Sequence, residues 1–318
     1  MSSTRPTIYQ HPLAYLVGLE GVALMRAFAG EHDREFTEAR LADIRRLLDA
    51  ADRFGDGHDV PPIAVEHGYR YWAPRYDAGP NGFWGTEEPL VRPLMERVPP
   101  GVAIDAACGT GRHTGWLVEQ GHEVLGFDTS ADMLAIARGK VPGAQFAEAD
   151  LHHLPVPDAC ADLVVVTLAL SHVEHLGPAF TELARVLRPG GHLVISDTRG
   201  YYVGSPLYPL VEGADGEFGY IPNWRHATSE YLEAALPLGL RPRHCREYSG
   251  RADARAEEAR RDDAADGGAG AFDPAASMQF EDPSRPPNIW EMMPWADAAT
   301  RAAYDGDPVL IVWDFEKE

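Results

Sequence analysis

Between residues 102 and 197 short apolar runs alternate with amphipathic stretches, and few architectures accept that rhythm. The apolar runs cover 102–106, 123–127, 144–148, 161–167 and 192–197. The stretches 112–120, 130–141 and 178–187 have helical periodicity and end on glycine or proline signals. Apolar strands joined by helices predict an α/β fold, a doubly wound and mostly parallel sheet covered on both faces. "RPGGHLVISD" reads as a helix stop, a tight turn and another buried strand. "DPVLIVWDF", residues 307–315, reads as the terminal strand of that sheet, running antiparallel.

Helices are expected at 11–28 and 31–54, the second with Phe36, Leu41, Ile44, Leu47 and Leu48 at helical spacing. "GDGHDVPP" connects them to an aromatic helix at 65–76, with Tyr69, Tyr71, Trp72 and Tyr76, and "TEEPLVRPLMERV" returns to helix. "TSEYLEAALPLGL", residues 228–240, reads as a helix with Ser229 accepting from the first-turn amides, followed by a strand in "RPRHCREY". The organisation expected is a helical cover over 1–98, a core over 99–250, an insertion over 251–305, and the last core strand over 306–318.

At 318 residues and 45% hydrophobic, the chain buries a core of one elaborated domain, or of one domain plus a small extra one. Its formal net charge is -21, and only Lys140 and Lys317 are lysines. Such a surface repels phosphate backbones, so nucleic acid is not an expected partner and a small-molecule substrate is. Cys108, Cys160 and Cys245 are too scattered for a disulfide framework or a zinc site. With no charged-then-apolar leader, a reducing cytoplasm is the expected compartment. The longest apolar stretch, 13–25, is broken by Glu20 and too short to span a bilayer, so no membrane role is expected.

The chemistry concentrates in "AIDAACGTGRH", where a strand runs into a glycine-rich turn. Glycines there let backbone approach a ligand, and the following helix points its free amides at it. Gly109, Gly111 and Gly115 leave one residue more between the last two than a dinucleotide-binding turn does. Three acids sharpen the reading. Asp105 ends the first strand, suited to accept from a ligand's ammonium. Asp128 ends the second, nineteen residues after Gly109, where an acid accepts both ribose hydroxyls. Asp150 ends the third, suited to an exocyclic amine on a base. An amino acid, a ribose and an adenine on one ligand describe S-adenosylmethionine.

The run "DAACGTG", "GFDTSADML", "EADLHHLPVPDACADLVVVTLALSHV" and "RVLRPGGHLVISD" resembles, in order and spacing, the small-molecule branch of the class I SAM-dependent methyltransferases. The resemblance covers residues from about 100 to 200, and loosely the first hundred and the insertion, which are similar to substrate-covering elaborations of specialised-metabolite enzymes. It implies a seven-stranded Rossmann-like methyltransferase fold and methyl transfer to oxygen or carbon of a metabolite. It also implies that Asp105 with Gly109 and Gly111 holds the methionine moiety and Asp128 the ribose. Met133 would pack on the adenine, Asp150 and Leu151 would frame its edge, and Leu168 would lie under the methionine chain. Tyr69 and Tyr76 fall in the helix that in this branch lays a tyrosine over the cofactor carboxylate.

Methyl transfer is an in-line displacement, so the protein aligns the partners and manages one proton. His172, just past the fourth strand in "LALSHVEH", is the candidate base, since a histidine near neutral pKa takes a proton from a phenol, enol or carbon acid. The structural alternative is a histidine capping the next helix or bonding to backbone. Tyr69, Trp72, Tyr201, Trp224 and Arg225 are candidates for the acceptor pocket, and His226 for a second base, with core packing the competing role for the aromatics. Trp290, Met292, Met293 and Trp295 suit a lid, a dimer contact or packing. "HH" at 152–153 lacks ligand partners at metal spacing, so no resident metal is expected; a magnesium ion held through the substrate stays open, as does a homodimer. Two alternatives stand beside the enzyme reading: a silent or non-methylating SAM-fold protein, and an NAD-dependent oxidoreductase. Asp105 and the glycine spacing count against the latter.

Overall fold

In the computed structural model, which describes residues 5–77, 82–199, 201–202, 205–206, 208–212, 216–249 and 292–318, the apolar runs become one seven-stranded sheet. Its strands are β1 (Val102–Ala106), β2 (Glu123–Asp128), β3 (Gln145–Glu148), β4 (Ala161–Thr167), β5 (Leu187–Thr198), β6 (Leu240–Tyr248) and β7 (Leu310–Lys317). They lie in the order β6-β7-β5-β4-β1-β2-β3. β1 to β5 pair in parallel, and β7 runs antiparallel between β5 and β6. The order reverses between β1 and β4, so the crevice for a ligand opens at their carboxyl ends.

The helices around this sheet are α1 (Val65–Trp72), α2 (Gly82–Met95), α3 (Arg112–Glu119), α4 (Ala131–Lys140), α5 (Leu176–Val186) and α6 (Thr228–Ala235). The period-two alternation of each strand sorts its side chains between two apolar layers. Ile104, Val164, Val166, Leu193, Ile195 and Trp313 pack with Phe180, Leu183 and Tyr231 of α5 and α6. Ala103, Leu163, Val165, Val194 and Val312 pack with Val91, Leu94, Met95 and Leu117 of α2 and α3.

Several boundaries differ from the sequence reading for local reasons. α1 stops at Trp72 and gives way to a 3-10 turn, Ala73–Arg75, because Pro74 cannot continue the ladder. β5 starts at Leu187, and Gly190, at φ +78°, absorbs the "RPGG" segment as a register shift opposite Ala161/Leu163. Ser229 is inside α6 rather than its cap; Glu230 instead accepts from the Ala227 amide at 2.6 Å.

The chain divides into two units, Ala64–Gly200, Pro222–Tyr248 and Pro308–Glu318 forming the sheet unit. The other is Met1–Ile63, Tyr201–Ile221 and Ser249–Asp307. Residues 64–98, expected with an N-terminal cover, thus belong to the sheet, because α2 buries Val91, Leu94 and Met95 there. In the other unit the helices Pro12–Phe28, Arg34–Asp49 and Asp297–Tyr304 share a core of Leu16, Leu19, Ala23, Leu47, Phe54 and Ala299. Met292 and Trp295 are buried in that core, which makes them packing residues; Trp290 and the Met293 side chain lie outside the described residues. Glu20, which interrupts the apolar stretch, is buried there against Arg40 at 2.9 Å. Among the described residues no helix is long and apolar enough to cross a membrane.

Gly126 of β2 shows how tightly the site edge of the sheet is built. A Cβ there would meet the Phe146 ring at 2.5 Å and the Cys108 sulfur at 3.1 Å. Gly126→Ala is expected to cost about 1–3 kcal/mol through overpacking. Urea unfolding should show it as a lower midpoint at unchanged slope, and an unchanged midpoint would mean that the Phe146 ring moves aside freely.

Candidate active site

The turn from β1 into α3 reverses the chain through three left-handed residues, Ala107 at φ +64°, Gly109 at +54° and Gly111 at +81°. Glycine adopts this conformation freely, whereas Ala107 bears a strain of about 1–2 kcal/mol. The Cys108 amide donates to the Phe127 carbonyl at 2.8 Å, and the Gly111 amide to the Cys108 carbonyl at 2.9 Å. Both tie the turn to β2 and to the start of α3. A Cβ on Gly109 would meet nothing within 4 Å, so the turn has open space beside it at this glycine.

Asp105 is buried at the end of β1. Its Oδ2 accepts from the Thr114 hydroxyl at 2.6 Å, while its buried Oδ1 has no partner among the described residues. Burial raises this carboxyl above its ordinary range, even though His113, Thr114 and Arg112 oppose the shift. An unsatisfied buried carboxylate oxygen beside a glycine turn fits an incoming ammonium. Asp128 ends β2 and accepts from the amides of Gly109 at 2.8 Å and Ser130 at 2.9 Å. Burial raises it too, against these amide bonds. With the Thr129 amide also donating to it, the carboxylate still has acceptor capacity left for a hydroxyl donor. Asp128 therefore orders the glycine turn and presents an acceptor in one geometry.

The remaining cofactor candidates differ in how the fold holds them. Met133 is fully buried in the first turn of α4, where Ser130 caps its amide. Asp150 is exposed and pairs with His152, and Leu151 packs partly on the sheet core. Leu168 follows β4 at φ +55°, its amide on the Ser196 carbonyl at 2.8 Å.

Beyond Leu168 a 3-10 turn, Leu170–His172, carries the candidate base. The Tyr69 hydroxyl of α1 lies 2.9 Å from His172 Nε2, and His172 Nδ1 lies 3.4 Å from the Pro222 carbonyl. A carbonyl only accepts, so Nδ1 carries the proton and Nε2 offers its lone pair to the Tyr69 O–H. Burial holds the imidazole pKa down to about 4, which keeps it neutral near pH 7. Burial likewise drives the Tyr69 phenol well above its ordinary value, reinforced by Tyr76, Asp128 and Asp197. Tyr69 also meets Trp72 edge-on at 5.3 Å and Tyr76 at 6.0 Å, so α1 brings an aromatic group to His172.

Not every candidate gathers here. His226 is buried, with its Nε2–H on the carbonyls of Leu170 and Val173 at 3.1 and 2.8 Å, so that nitrogen is occupied as a donor and unsuited to the second-base role. Trp224 reaches the neighbourhood through its amide, which donates to the Ser171 carbonyl at 2.8 Å, and Arg225 is exposed. The Tyr201 side chain lies outside the described residues, and its backbone belongs to the other unit.

Sequence reasoning missed Glu87, a fully buried acid of α2. Its carboxylate accepts from Arg112 at 2.7 Å, from His113 Nε2–H at 3.1 Å and from the Ser196 hydroxyl at 2.6 Å. Burial alone would raise its pKa, but His113, Arg112 and Ser196 outweigh it and hold the carboxyl at about 2. The signal was present: Glu87 lies four residues before Val91 and seven before Leu94, on the apolar stripe of its helix. Asp197, the last acid of "VISD", was missed as well. It is buried and accepts from the Tyr231 hydroxyl at 3.0 Å, and burial raises it to about 6.

A carboxyl depressed in the folded state stabilises above its unfolded pKa, and that stability is lost as pH falls through the folded value. Glu87→Gln should therefore destabilise the protein by about 3 kcal/mol at pH 7, the scale of a shift from 4.5 to about 2. The gap between variant and parent in urea unfolding should narrow as pH falls from about 4.5 toward 2. A gap independent of pH would remove the ionic role.

Residues 104–195 match a family model described as a methyltransferase domain. A malonyl-[acyl-carrier protein] O-methyltransferase of Yersinia pestis is 29% identical over 195 residues, covering 59% of this chain and 67% of the relative. A trans-aconitate 2-methyltransferase of Azoarcus sp. (strain BH72) is 36% identical over 161 residues, covering 49% and 62%. Across such relatives the chain spans between 35% and 67% of their length. Among solved structures, the crystal structure of the [4+2]-cyclase SpnF aligns with a TM-score of 0.52 at 20% identity, over 81% of this chain and 98% of that one, a likeness of fold. The segment similar to a methyltransferase domain, residues 104–195, holds the β1 turn, Asp105, Asp128 and His172 in the order the strands impose.

Proposed function

We propose that this protein transfers the methyl group of S-adenosylmethionine to an oxygen or carbon of a small molecule, with His172 as general base. The observation that carries the reading is the hydroxyl of Tyr69 at 2.9 Å from the unprotonated Nε2 of His172, past the carboxyl end of β4. A hydroxyl held there models the acceptor's own O–H in the encounter that precedes transfer.

When bound, the cofactor supplies an electrophilic methyl on a sulfonium. Asp105 would receive its ammonium on the unpartnered Oδ1, and the turn at Gly109 and Gly111 would let backbone approach its methionine end. Asp128 would hold the ribose hydroxyls, Met133 the adenine face, Asp150 and Leu151 the adenine edge, and Leu168 the methionine chain. Tyr69 of α1 and Tyr76, just past the Ala73–Arg75 turn, would cover the cofactor. Trp72, Trp224 and Arg225 are proposed for the acceptor side. His172 would take the acceptor's proton on Nε2 while Nδ1–H stays on the Pro222 carbonyl. One relative is named as a malonyl-[acyl-carrier protein] O-methyltransferase and the other as a trans-aconitate 2-methyltransferase, and the second name supports a small-molecule acceptor.

Asp128→Ala is expected to weaken S-adenosylhomocysteine binding about tenfold to a hundredfold, the scale of a lost charged hydrogen-bonding group, in calorimetric titration. Unchanged affinity would remove the ribose role. His172→Ala should bind the same ligand normally and transfer methyl at least about a hundredfold more slowly to a panel of phenols and 1,3-diketones. Near-parental turnover would return His172 to a backbone-binding role. Binding without transfer by the parent chain, across the panel, would instead favour a non-methylating use of the fold. Since His172 accepts a proton only when neutral, kcat/KM should stay level through neutral pH and fall in acid as the imidazole is protonated near pH 4. A limb at the ordinary histidine value would show that the imidazole is wet.

A further inference from the structure

His172 belongs to a three-residue turn, Leu170–His172, whose N-cap side chain makes no capping hydrogen bond. The turn is gripped from outside. His226 Nε2–H donates to the carbonyls of Leu170 at 3.1 Å, the first residue of the turn, and of Val173 at 2.8 Å, just after it. The Trp224 amide donates to the Ser171 carbonyl at 2.8 Å, and the Ser171 amide donates to the Asp197 carboxylate. Asp197 is fixed in turn by the Tyr231 hydroxyl at 3.0 Å and the Thr198 amide at 2.9 Å. Arg199 Nη1 donates to the His226 carbonyl at 3.0 Å, so the gripping residue is itself held. Pro222, four residues before His226, supplies the carbonyl that receives His172 Nδ1–H.

Each of these bonds to the turn falls on the backbone of residues 170, 171 or 173, around the imidazole that would take the proton. We infer that His226 and Asp197 are positioning residues, which lock the Leu170–His172 turn so that His172 keeps its Nδ1–H on Pro222 and its Nε2 lone pair toward Tyr69. Neither residue touches the reacting atoms; they act through the turn backbone. The inference rests on the base role proposed for His172, and concerns what makes that role available. A mobile turn would let the imidazole exchange its two nitrogens and admit water, which returns a buried histidine toward its ordinary pKa.

The test is nitrogen-15 NMR of the histidine-labelled full chain, with His172 assigned by its loss in His172→Ala. The parent is expected to show Nδ1–H at neutral pH and to titrate well below an ordinary histidine. In His226→Leu the two tautomers should mix and the His172 midpoint should rise by at least about one pH unit toward the ordinary value. His226→Gln, whose side-chain amide keeps an N–H donor, should restore most of the parental behaviour. His172 unchanged in a His226→Leu protein that still unfolds cooperatively would overturn the inference. Should that variant not fold, Asp197→Asn, which keeps the shape but weakens the acceptor for the Ser171 amide, decides in its place. A shifted His172 supports the lock, and an unshifted one overturns it. Because the readout needs no turnover, a His172→Ala protein that still transfers methyl would end the base assignment while the NMR measurement still decides whether the turn is locked.

Discussion

The sheet unit depends on one buried carboxylate. Glu87 sits on the apolar face of α2 with no exposed surface, and an unpaired charge there would be untenable. Three donors from two elements meet it: Arg112 and His113 of the first turn of α3, and Ser196 of β5. The helix that follows the glycine turn is thereby pinned in rotation and height against a neighbouring strand end. Because one partner could not be lost without leaving charge buried, the network specifies an arrangement as well as stabilising it.

With α3 pinned, the β1 turn has little freedom, and the acids around it acquire a common character. Asp105, Asp128 and Asp197 close three strands at the carboxyl edge, and burial raises the pKa of each. A carboxylate kept from solvent gains from a cation placed beside it, most of all Asp105, whose Oδ1 has no partner among the described residues. Such an edge favours a ligand with an ammonium and a sulfonium, and the same burial keeps His172 neutral. The proposed cofactor affinity and base chemistry would thus draw on one physical condition, the burial of the groups at the ends of the strands.

The doubly wound sheet was legible because strand and helix periods are strong signals over residues 102–197, and the β1 turn because glycine and acid at strand ends have few other uses. His172 was legible as a position after β4, though not as a tautomer. Glu87 was overlooked because a lone acid on an amphipathic helix is ordinarily a solvated one, and only its place on the Val91 and Leu94 stripe betrayed it. The contacts of His226 were hidden for a related reason: a histidine beside aromatics and an arginine reads as chemistry, and its two carbonyl partners lie 53 and 56 residues earlier in the chain.

By itself, the sequence determined the order of strands and helices, the left-handed turn that Gly109 and Gly111 allow, and the acids that close β1 and β2 and follow β3. Those features follow from local periodicity and conformational preference, which neighbouring residues set. The tertiary structure alone decided which polar groups meet: Tyr69 with His172 across 103 residues, Ser196 with Glu87 across 109, and His226 with the turn that carries His172. Desolvation set their protonation, and desolvation depends on everything that packs around a group, whereas a residue's sequence neighbours are only a small part of its surroundings.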